Sequence, residues 1–252
     1  MKTGDNQHIV YFVSDLHLGV PDAKSSRERE LKFIRWLDYV AQDADEIYLL
    51  GDIFDMWFEY KTVVPRGFTR LLGKLAELSD MGITLKLFTG NHDMWMFGYF
   101  PEELGIPVFY KPQIIEINGL RCYIAHGDGL GKGDFSYKFL KAFFASSVCQ
   151  WLFARLHPNF GLGLSTYLSK RSRIANGNYD EIFQGEDKEL LVKFAKEFPE
   201  NQSINLFIFG HRHLPMYIDL GNNRKLFNSG EWVKACSYIR LADKNAELLY
   251  FT

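Results

Sequence analysis

A carboxylate and an imidazole stand two residues apart at the end of an apolar run near the start of the chain. The run at 9–13 reads IVYFV, and Asp15 and His17 follow it. An unbroken apolar run of this length is typical of a buried strand. Since alternate residues of a strand point to the same side, both side chains can reach one point beyond the strand end. Oxygen and nitrogen donors that converge in this way suit a divalent first-row metal ion.

Four further apolar runs also end in side chains that bind metals. The blocks that follow them are Gly51-Asp52, Gly90-Asn91-His92-Asp93, His126-Gly127-Asp128 and Gly210-His211-Arg212-His213. In a shared sheet, such strand ends lie along one edge, where open α/β sheets bind their ligands. The five blocks would then bring seven donors to one region, namely Asp15, His17, Asp52, Asn91, His126, His211 and His213.

Seven donors are too many for one tetrahedral zinc ion, and no thiolate is among them. The set suits two octahedral ions that share a carboxylate, and Asp52 is the natural bridge because it follows a central strand. Two ions about 3.5–4 Å apart form a clamp for displacement at a phosphoester. The glycines that precede three of the blocks, Gly51, Gly90 and Gly210, would let the backbone turn tightly against a bound ion or phosphate.

The elements that must position these donors alternate between strands and helices. Apolar residues at helical spacing predict helices at 27–41, 68–81 and 186–198, and apolar runs predict strands at 46–50, 84–88 and 205–209. Strand, helix and strand in succession predict parallel βαβ units. Asn118-Gly119 between two further apolar runs predicts a hairpin, and short alternating strands are expected from 216 to the end.

Composition narrows the class of protein. The chain has 252 residues, a net charge of −2 and three widely spaced cysteines, Cys122, Cys149 and Cys236. The odd count without a C-x-x-C pair favours reduced core thiols in a cytosolic protein. The small negative charge argues against nucleic acid as a partner. The N-terminal residues lack a signal-peptide core, and no run of 18 apolar residues predicts a membrane span.

In this order, the five blocks resemble the motif set of the calcineurin-like metallophosphoesterases. The resemblance implies an α/β fold, a four-layer αββα sandwich, with two divalent ions. One ion would bind Asp15, His17, Asp52 and His213, and the other Asp52, Asn91, His126 and His211. His92 would contact the phosphoryl group and protonate the leaving oxygen, with Asp55 or Asp93 as support. Manganese, iron and zinc are the usual metals of the family, and manganese is the ion expected here.

The segment at 129–185 is expected to be a helical lid inserted into a core formed by 1–128 and 186–252. From Lys132 to Arg173 it has seven basic residues and one acidic residue, so its charge is +6. It is also rich in Phe, Trp, Tyr and Leu. These side chains could form a small core of their own beneath solvated Lys and Arg. Alternatively, they could line a slot for acyl chains, with a basic rim for phosphates and membrane head groups. Gly161 and Gly163 could form a hinge or a close-packed turn.

The insertion is similar to the helical lid of the UDP-2,3-diacylglucosamine pyrophosphatases of lipid A synthesis. The shared features are its place after H-G-D, Asp134 eight residues beyond His126, and the basic run 168–173. The resemblance implies a lipid-linked UDP-sugar substrate and a cytoplasmic enzyme at the inner face of the membrane. The expected substrate contacts are Asn91, His92, Asp134, Lys170, Arg171 and Arg173. The best-known members of that group carry Arg where this chain has His92.

Three other functions remain open at this stage. The enzyme could cleave another lipid-linked or soluble nucleotide or phosphodiester, and the lid would then not matter for activity. The chain could be a non-catalytic scaffold, although a scaffold has no need of seven aligned donors. The basic insertion could bind nucleic acid, which the acidity of the remaining chain opposes.

Overall fold

Strands and helices alternate along most of the chain. The structure, a computed structural model, describes residues 8–133, 135–176, 182–199 and 203–252, without the side chains of 172–176. The strands are β1 Ile9–Val13, β2 Glu46–Leu49, β3 Thr84–Phe88, β4 Val108–Phe109, β5 Gln113–Ile117, β6 Leu120–Ile124, β7 Leu206–Phe209, β8 Met216–Gly221, β9 Arg224–Asn228, β10 Ser237–Ala242 and β11 Asn245–Tyr250. The helices are α1 Ala23–Val40, α2 Thr69–Asp80, α3 Tyr99–Leu104, α4 Phe135–Phe144, α5 Ser147–Phe153, α6 Pro158–Asn176 and α7 Leu190–Glu197.

The strands form two sheets. The first has the order β11-β10-β1-β2-β3-β4, and the second has the order β5-β6-β7-β9-β8. Strands β1 to β4 run parallel, as the alternation of strands and helices predicts. In the second sheet β6, β7 and β9 are parallel, while the hairpin at Asn118-Gly119 joins β5 antiparallel to β6.

Four layers stack across the molecule, as the αββα prediction requires. Alternate residues of β1 face opposite sides: Val10 and Phe12 pack between the two sheets, whereas Tyr11 and Val13 pack against α1 and α2. Strand β7 behaves likewise, because Ile208 faces the first sheet and its neighbours face α7. The apolar runs that look unbroken in the sequence are therefore strands buried on both faces.

The expectation that all five donor blocks share one sheet is wrong. Strands β1, β2 and β3 belong to the first sheet, and β6 and β7 belong to the second. Both sheets nevertheless direct the carboxyl ends of these strands toward the same end of the sandwich. The two sheets pack face to face, so donors from both meet above the layer between them.

Some helix bounds differ from those predicted. Helix α1 begins at Ala23 rather than at 27, because the Asp22 carboxylate caps it by accepting from the Lys24 and Ser25 amides. Helix α7 begins at Leu190 rather than at 186, because the preceding Glu189 is extended and its carboxylate binds Arg212. Helix α3 and strand β4 have no counterpart in the prediction, since both are short and lack a repeating apolar pattern.

The described residues of the insertion form three helices, α4, α5 and α6, and only part of their apolar surface is buried. Phe153 packs on Phe58 and Trp95 of the core, and the Trp95 indole N–H donates to the Phe144 carbonyl at 2.9 Å. Neither expected hinge glycine interrupts α6, and Gly161 is buried against Phe153. No side chain of α4 is buried, so the separate small core that the sequence left open does not form there.

A buried guanidinium supports the loop that follows β1. Arg29 of α1 donates from Nη1 to the carbonyl oxygens of Leu16, His17 and Val20 at 2.8, 2.8 and 3.2 Å. These carbonyls point away from water, so the arginine supplies hydrogen bonds that solvent cannot. Helix α1 thereby holds the backbone that presents His17.

We expect Arg29→Ala to lower the free energy of unfolding by about 3 kcal/mol, because buried carbonyls would lose a charged donor. Arg35→Ala removes an exposed arginine from the same helix and should change stability by less than about 0.5 kcal/mol. Urea denaturation followed by circular dichroism measures both values. Equal stability of the two variants would contradict this role for Arg29.

Candidate metal centre

Four of the seven donors lie where the backbone leaves the strands in a left-handed conformation. The φ angles of Asp15, His17, Asp52 and His211 are 54°, 45°, 53° and 67°. For residues other than glycine this conformation costs roughly 1–2 kcal/mol each. Such costs persist only where the surroundings impose them, and they cluster at functional sites. Backbone hydrogen bonds impose the left-handed conformation at Asp15 and His17, since their amides donate to the Gly51 and Asp52 carbonyls, respectively.

Two glycines allow the strand ends to touch. A Cβ atom on Gly51 would lie 2.5 Å from the backbone nitrogen of Gly90, closer than real contacts allow. A Cβ atom on Gly210 would lie 2.9 Å from Asp15 Oδ2. The expected tight turns at these glycines are therefore present, and they bring neighbouring donor blocks into contact.

One group of donors consists of Asp15, His17 and His213. The Nε2 atoms of His17 and His213 are 3.0 Å apart. Asp15 Oδ1 lies 3.4 Å from His213 Nε2 and 3.7 Å from His17 Nε2. The His211 amide donates to Asp15 Oδ2 at 2.9 Å, so Oδ1 is the oxygen that faces the histidines. One carboxylate oxygen and two ring nitrogens thus point at a common centre.

A second group consists of Asp52, Asn91, His126 and His211. His126 Nε2 lies 3.4 Å from Asp52 Oδ2 and 3.3 Å from Asn91 Oδ1, and His211 Nδ1 lies 3.1 Å from Asn91 Oδ1. The other ring nitrogen of His126, Nδ1, is 2.8 Å from the Leu50 carbonyl. A carbonyl only accepts, so Nδ1 carries a hydrogen, and Nε2 is the ring nitrogen that faces the centre.

Asp52 lies between the two groups. Its Oδ2 is 3.4 Å from His126 Nε2 and 3.9 Å from His17 Nε2, which belong to different groups. Its Oδ1 accepts from the His92 amide at 2.8 Å, which holds the carboxylate in this orientation. This is the position that a bridging carboxylate requires.

The donors fit a pair of divalent ions. Asp15 Oδ1 is a buried anionic oxygen that receives no hydrogen bond from any described residue. An unsatisfied buried oxygen of this kind calls for a cation or a donor. Oxygen and imidazole donors without thiolate suit manganese, iron or zinc. The ligand roles of the seven residues stay a prediction, and the geometry brings all seven together.

Opposite charges dominate the electrostatics of the site. Burial alone lowers the pKa of His17, but the adjacent Asp15 and Asp55 carboxylates raise it to about 9. Burial likewise lowers the pKa of His126, and the Asp52 charge raises it to about 10. Burial raises the pKa of Asp52, yet the nearby His126 and His92 hold it below its usual range. In the protein without metals, protons on His17 and His126 therefore offset part of the charge of the buried carboxylates.

Asp93, one of the two expected supports of His92, has a structural position instead. Its carboxylate accepts from the backbone amides of Gly90, Asp52, Ile53 and Phe54 at 2.7–3.4 Å. Burial and the Asp52 charge raise the pKa of Asp93 to about 7. Asp93 therefore joins the loop after β2 to the loop after β3.

Asp55, the other expected support, contacts His92 directly. His92 Nδ1 lies 3.2 Å from the Asp55 carbonyl oxygen and 3.6 Å from Asp55 Oδ1. Asp55 Oδ1 also lies 3.4 Å from His17 Nδ1. Asp55 thus connects His92 to a residue of the first donor group, and the rings of His17 and His92 meet edge to face at 4.9 Å.

The expected lid contacts are less well placed. Lys170 and Arg171 are exposed on α6, and neither pairs with a described carboxylate. The Arg171 guanidinium lies 6.0 Å from the centre of the Tyr167 ring. Asp134 lies outside the described residues, and so does the side chain of Arg173.

The sequence interpretation did not single out two serines of the site. Ser14 donates to Asp15 Oδ2 and lies 2.7 Å from Ser229 Oγ, so it holds the first donor residue of the chain in place. Ser169 of α6 donates to Asp55 Oδ2 at 3.1 Å. Ser14 could have been noticed from its place beside Asp15, whereas the pattern of the insertion gives no signal for Ser169.

Comparisons with known proteins agree with the fold and with the motifs. The family model described as calcineurin-like phosphoesterase matches residues 9–215. A protein from Porphyromonas gingivalis named UDP-2,3-diacylglucosamine hydrolase is 36% identical over 91% of this chain and 92% of its own length. The protein of the same name from Escherichia fergusonii is 26% identical over 95% of this chain and 98% of its own.

Among solved structures, the phosphoesterase Yfce from E. coli aligns over 97% of this chain and 100% of its own. Its sequence is 15% identical and its TM-score is 0.44.

Metal binding should release about two protons at pH 7.5, because His17 and His126 have pKa values of about 9 and 10 and must be neutral to act as ligands. Calorimetric titration with Mn²⁺ in two buffers of different ionisation enthalpy measures this release. Affinity should rise with pH until these histidines are neutral. A titration without proton release would mean that they do not bind the ions.

Proposed function

The chain belongs to the calcineurin-like phosphoesterase family, a family of hydrolases, and we propose that it cleaves the pyrophosphate of UDP-2,3-diacylglucosamine. The products would be UMP and 2,3-diacylglucosamine 1-phosphate. The observation that carries the substrate is the apolar helical insertion seated beside the metal donors. Ser169 of that insertion reaches Asp55 next to His92, while its neighbouring helices expose large apolar side chains.

Two divalent ions, held by the seven donors, would supply an activated water and would neutralise the charge of the phosphates. Asp52 would hold both ions, since its Oδ2 faces both donor groups. Asn91 would bind through its amide oxygen, which already points at His126 and His211. We propose manganese as the natural metal, one of the three that oxygen and imidazole donors without sulfur suit.

His92 would act on the phosphoryl group rather than on a metal. Its Nδ1 is engaged by Asp55, so Nε2 is the ring atom that would donate to a phosphoryl oxygen. A donor in this position stabilises the charge that develops as the bond to phosphorus breaks, and it can transfer a proton to the leaving oxygen. The side chain is 19% exposed, which leaves it accessible to a substrate at the surface of the core.

The insertion would act as a lid that binds the acyl chains. Its exposed apolar side chains include Phe135, Phe139 and Phe143 of α4 and Trp151 of α5, and those of Phe135 and Phe139 are 80% and 74% exposed. Contiguous exposed apolar surface of this kind marks a binding site. Lys170, Arg171 and Arg173 would pair with phosphate, and Asp134 would contact the glucosamine.

The same surface would rest on the cytoplasmic face of the inner membrane. Among the residues that the structure describes, no helix has the length and apolar character of a membrane span. We therefore propose a peripheral contact, in which aromatic side chains enter the head-group region and basic side chains meet anionic lipids. This arrangement would allow the enzyme to take a lipid substrate without leaving the membrane surface.

With Mn²⁺ present, the protein should release UMP from UDP-2,3-diacylglucosamine and not from UDP-N-acetylglucosamine, because only the first has two acyl chains for the lid. Chromatography of the nucleotide product measures both reactions. If neither compound is cleaved while bis-p-nitrophenyl phosphate still is, the two-metal hydrolase stands and the lipid substrate is wrong.

His92→Ala should lower kcat by about 10²–10³ while both metals stay bound, since a proton donor is lost and no ligand is. Asp52→Ala is the matched comparison and should lose metal together with activity. Elemental analysis of the purified variants and UMP release give the two readouts. Loss of a metal from the His92 variant would instead make that histidine a ligand.

A further inference from the structure

A hydroxyl of the lid contacts the histidine proposed to act on the phosphoryl group. Ser169 Oγ lies 3.3 Å from His92 Nδ1 and donates to Asp55 Oδ2 at 3.1 Å. Ser169 belongs to α6 in the insertion, whereas the other two residues belong to loops of the core. The contact therefore joins two parts of the molecule that are far apart in sequence.

The surroundings of His92 Nδ1 determine where its hydrogen lies. The Asp55 carbonyl oxygen at 3.2 Å and Asp55 Oδ1 at 3.6 Å can only accept hydrogen bonds when the carboxyl is ionised. A lone pair on Nδ1 would face both of them, so Nδ1 carries the hydrogen. Ser169 gives its own hydrogen to Asp55, and its oxygen is then an additional acceptor for the Nδ1–H group.

We infer that Ser169 is a positioning residue for His92, so that the enzyme has its full activity only when α6 is seated on the core. This inference rests on the proposed function, because it assigns His92 to the phosphoryl group. Ser169 resists rotation of the imidazole by accepting from Nδ1, and Asp55 holds the serine from the other side. Nε2 is thereby kept in the direction of the substrate.

Other contacts seat the insertion without touching His92. Tyr137 and Lys141 of α4 bind the Asp128 carboxylate at 2.5 and 2.6 Å, two residues beyond His126. Gly161 of α6 is buried against the core residue Tyr60, whose hydroxyl oxygen would lie only 3.0 Å from a Cβ atom at this position. The helices thus have their own attachments to the core, and loss of one serine hydroxyl should leave them in place.

The arrangement gives the lid two roles, which are to bind the acyl chains and to support His92. A substrate whose acyl chains hold α6 against the core would complete the support of His92. A substrate without acyl chains would leave that support dependent on the lid alone. Binding energy from a remote part of the substrate would in this way be used at the reacting phosphorus.

The test compares Ser169→Ala with Ser169→Thr and Thr166→Ala. Ser169→Ala should lower kcat for UDP-2,3-diacylglucosamine about tenfold with little change in KM, because the lost group orients a residue and does not bind substrate. Ser169→Thr keeps the hydroxyl and should restore most of the activity. Thr166→Ala removes a hydroxyl that bonds only within α6, to the Leu162 carbonyl, and should leave kcat unchanged.

A double-mutant cycle separates positioning from a general effect on the lid. In the His92→Ala background, Ser169→Ala should have no further effect on kcat. Additive losses in the double variant would overturn the inference, and so would loss of bound metal from Ser169→Ala alone. If the wild-type protein does not cleave the lipid substrate, the proposed function fails first. The same cycle measured with bis-p-nitrophenyl phosphate then still tests the link between Ser169 and His92.

Discussion

Four carboxylates buried in one small volume impose the main constraint on this molecule. Asp15, Asp52, Asp55 and Asp93 are all at least 97% buried, and each needs compensation for the water that it has lost. Asp93 obtains it from backbone amides, and the other three obtain it from imidazole rings together with an amide or hydroxyl donor. Only a very close approach of the loops brings the compensating groups within reach. This need explains the left-handed backbone at four of the donor residues and the glycines at the contacts between the loops.

Much of the fold follows from simple patterns. Strand β3 has its predicted bounds, and the helices after β1 and β2 lie where apolar spacing predicts them. These elements are long or buried on both faces, so their patterns are strong. The division into two sheets does not follow from the pattern, since a strand buried on both faces looks the same in one sheet as in two. The start of α7 was misplaced because Glu189 favours a helix locally but binds Arg212 across the fold.

The donor cluster was within reach of sequence reasoning, whereas its supports were not. Asp15, His17, Asp52 and the other donors each end an apolar run, and this shared position reveals them together. Arg29 and Ser169 act through contacts that depend on the tertiary arrangement, and nothing in their local sequence distinguishes them from ordinary polar residues. The only sequence signal for Ser14 is its place beside Asp15. Residues that bind directly leave a pattern in the sequence. Residues that orient them act through contacts across the fold, and such contacts leave no sequence pattern.

The origin of the donors in both sheets has a mechanical consequence. Asp15, His17, Asp52 and Asn91 follow strands of the first sheet, and His126, His211 and His213 follow strands of the second. A pair of bound ions would therefore join one sheet to the other through coordination bonds at this end of the sandwich. Sliding of the sheets past each other would require breaking coordination bonds, so metal supply would govern how long the folded chain resists proteolysis as well as its catalytic capacity.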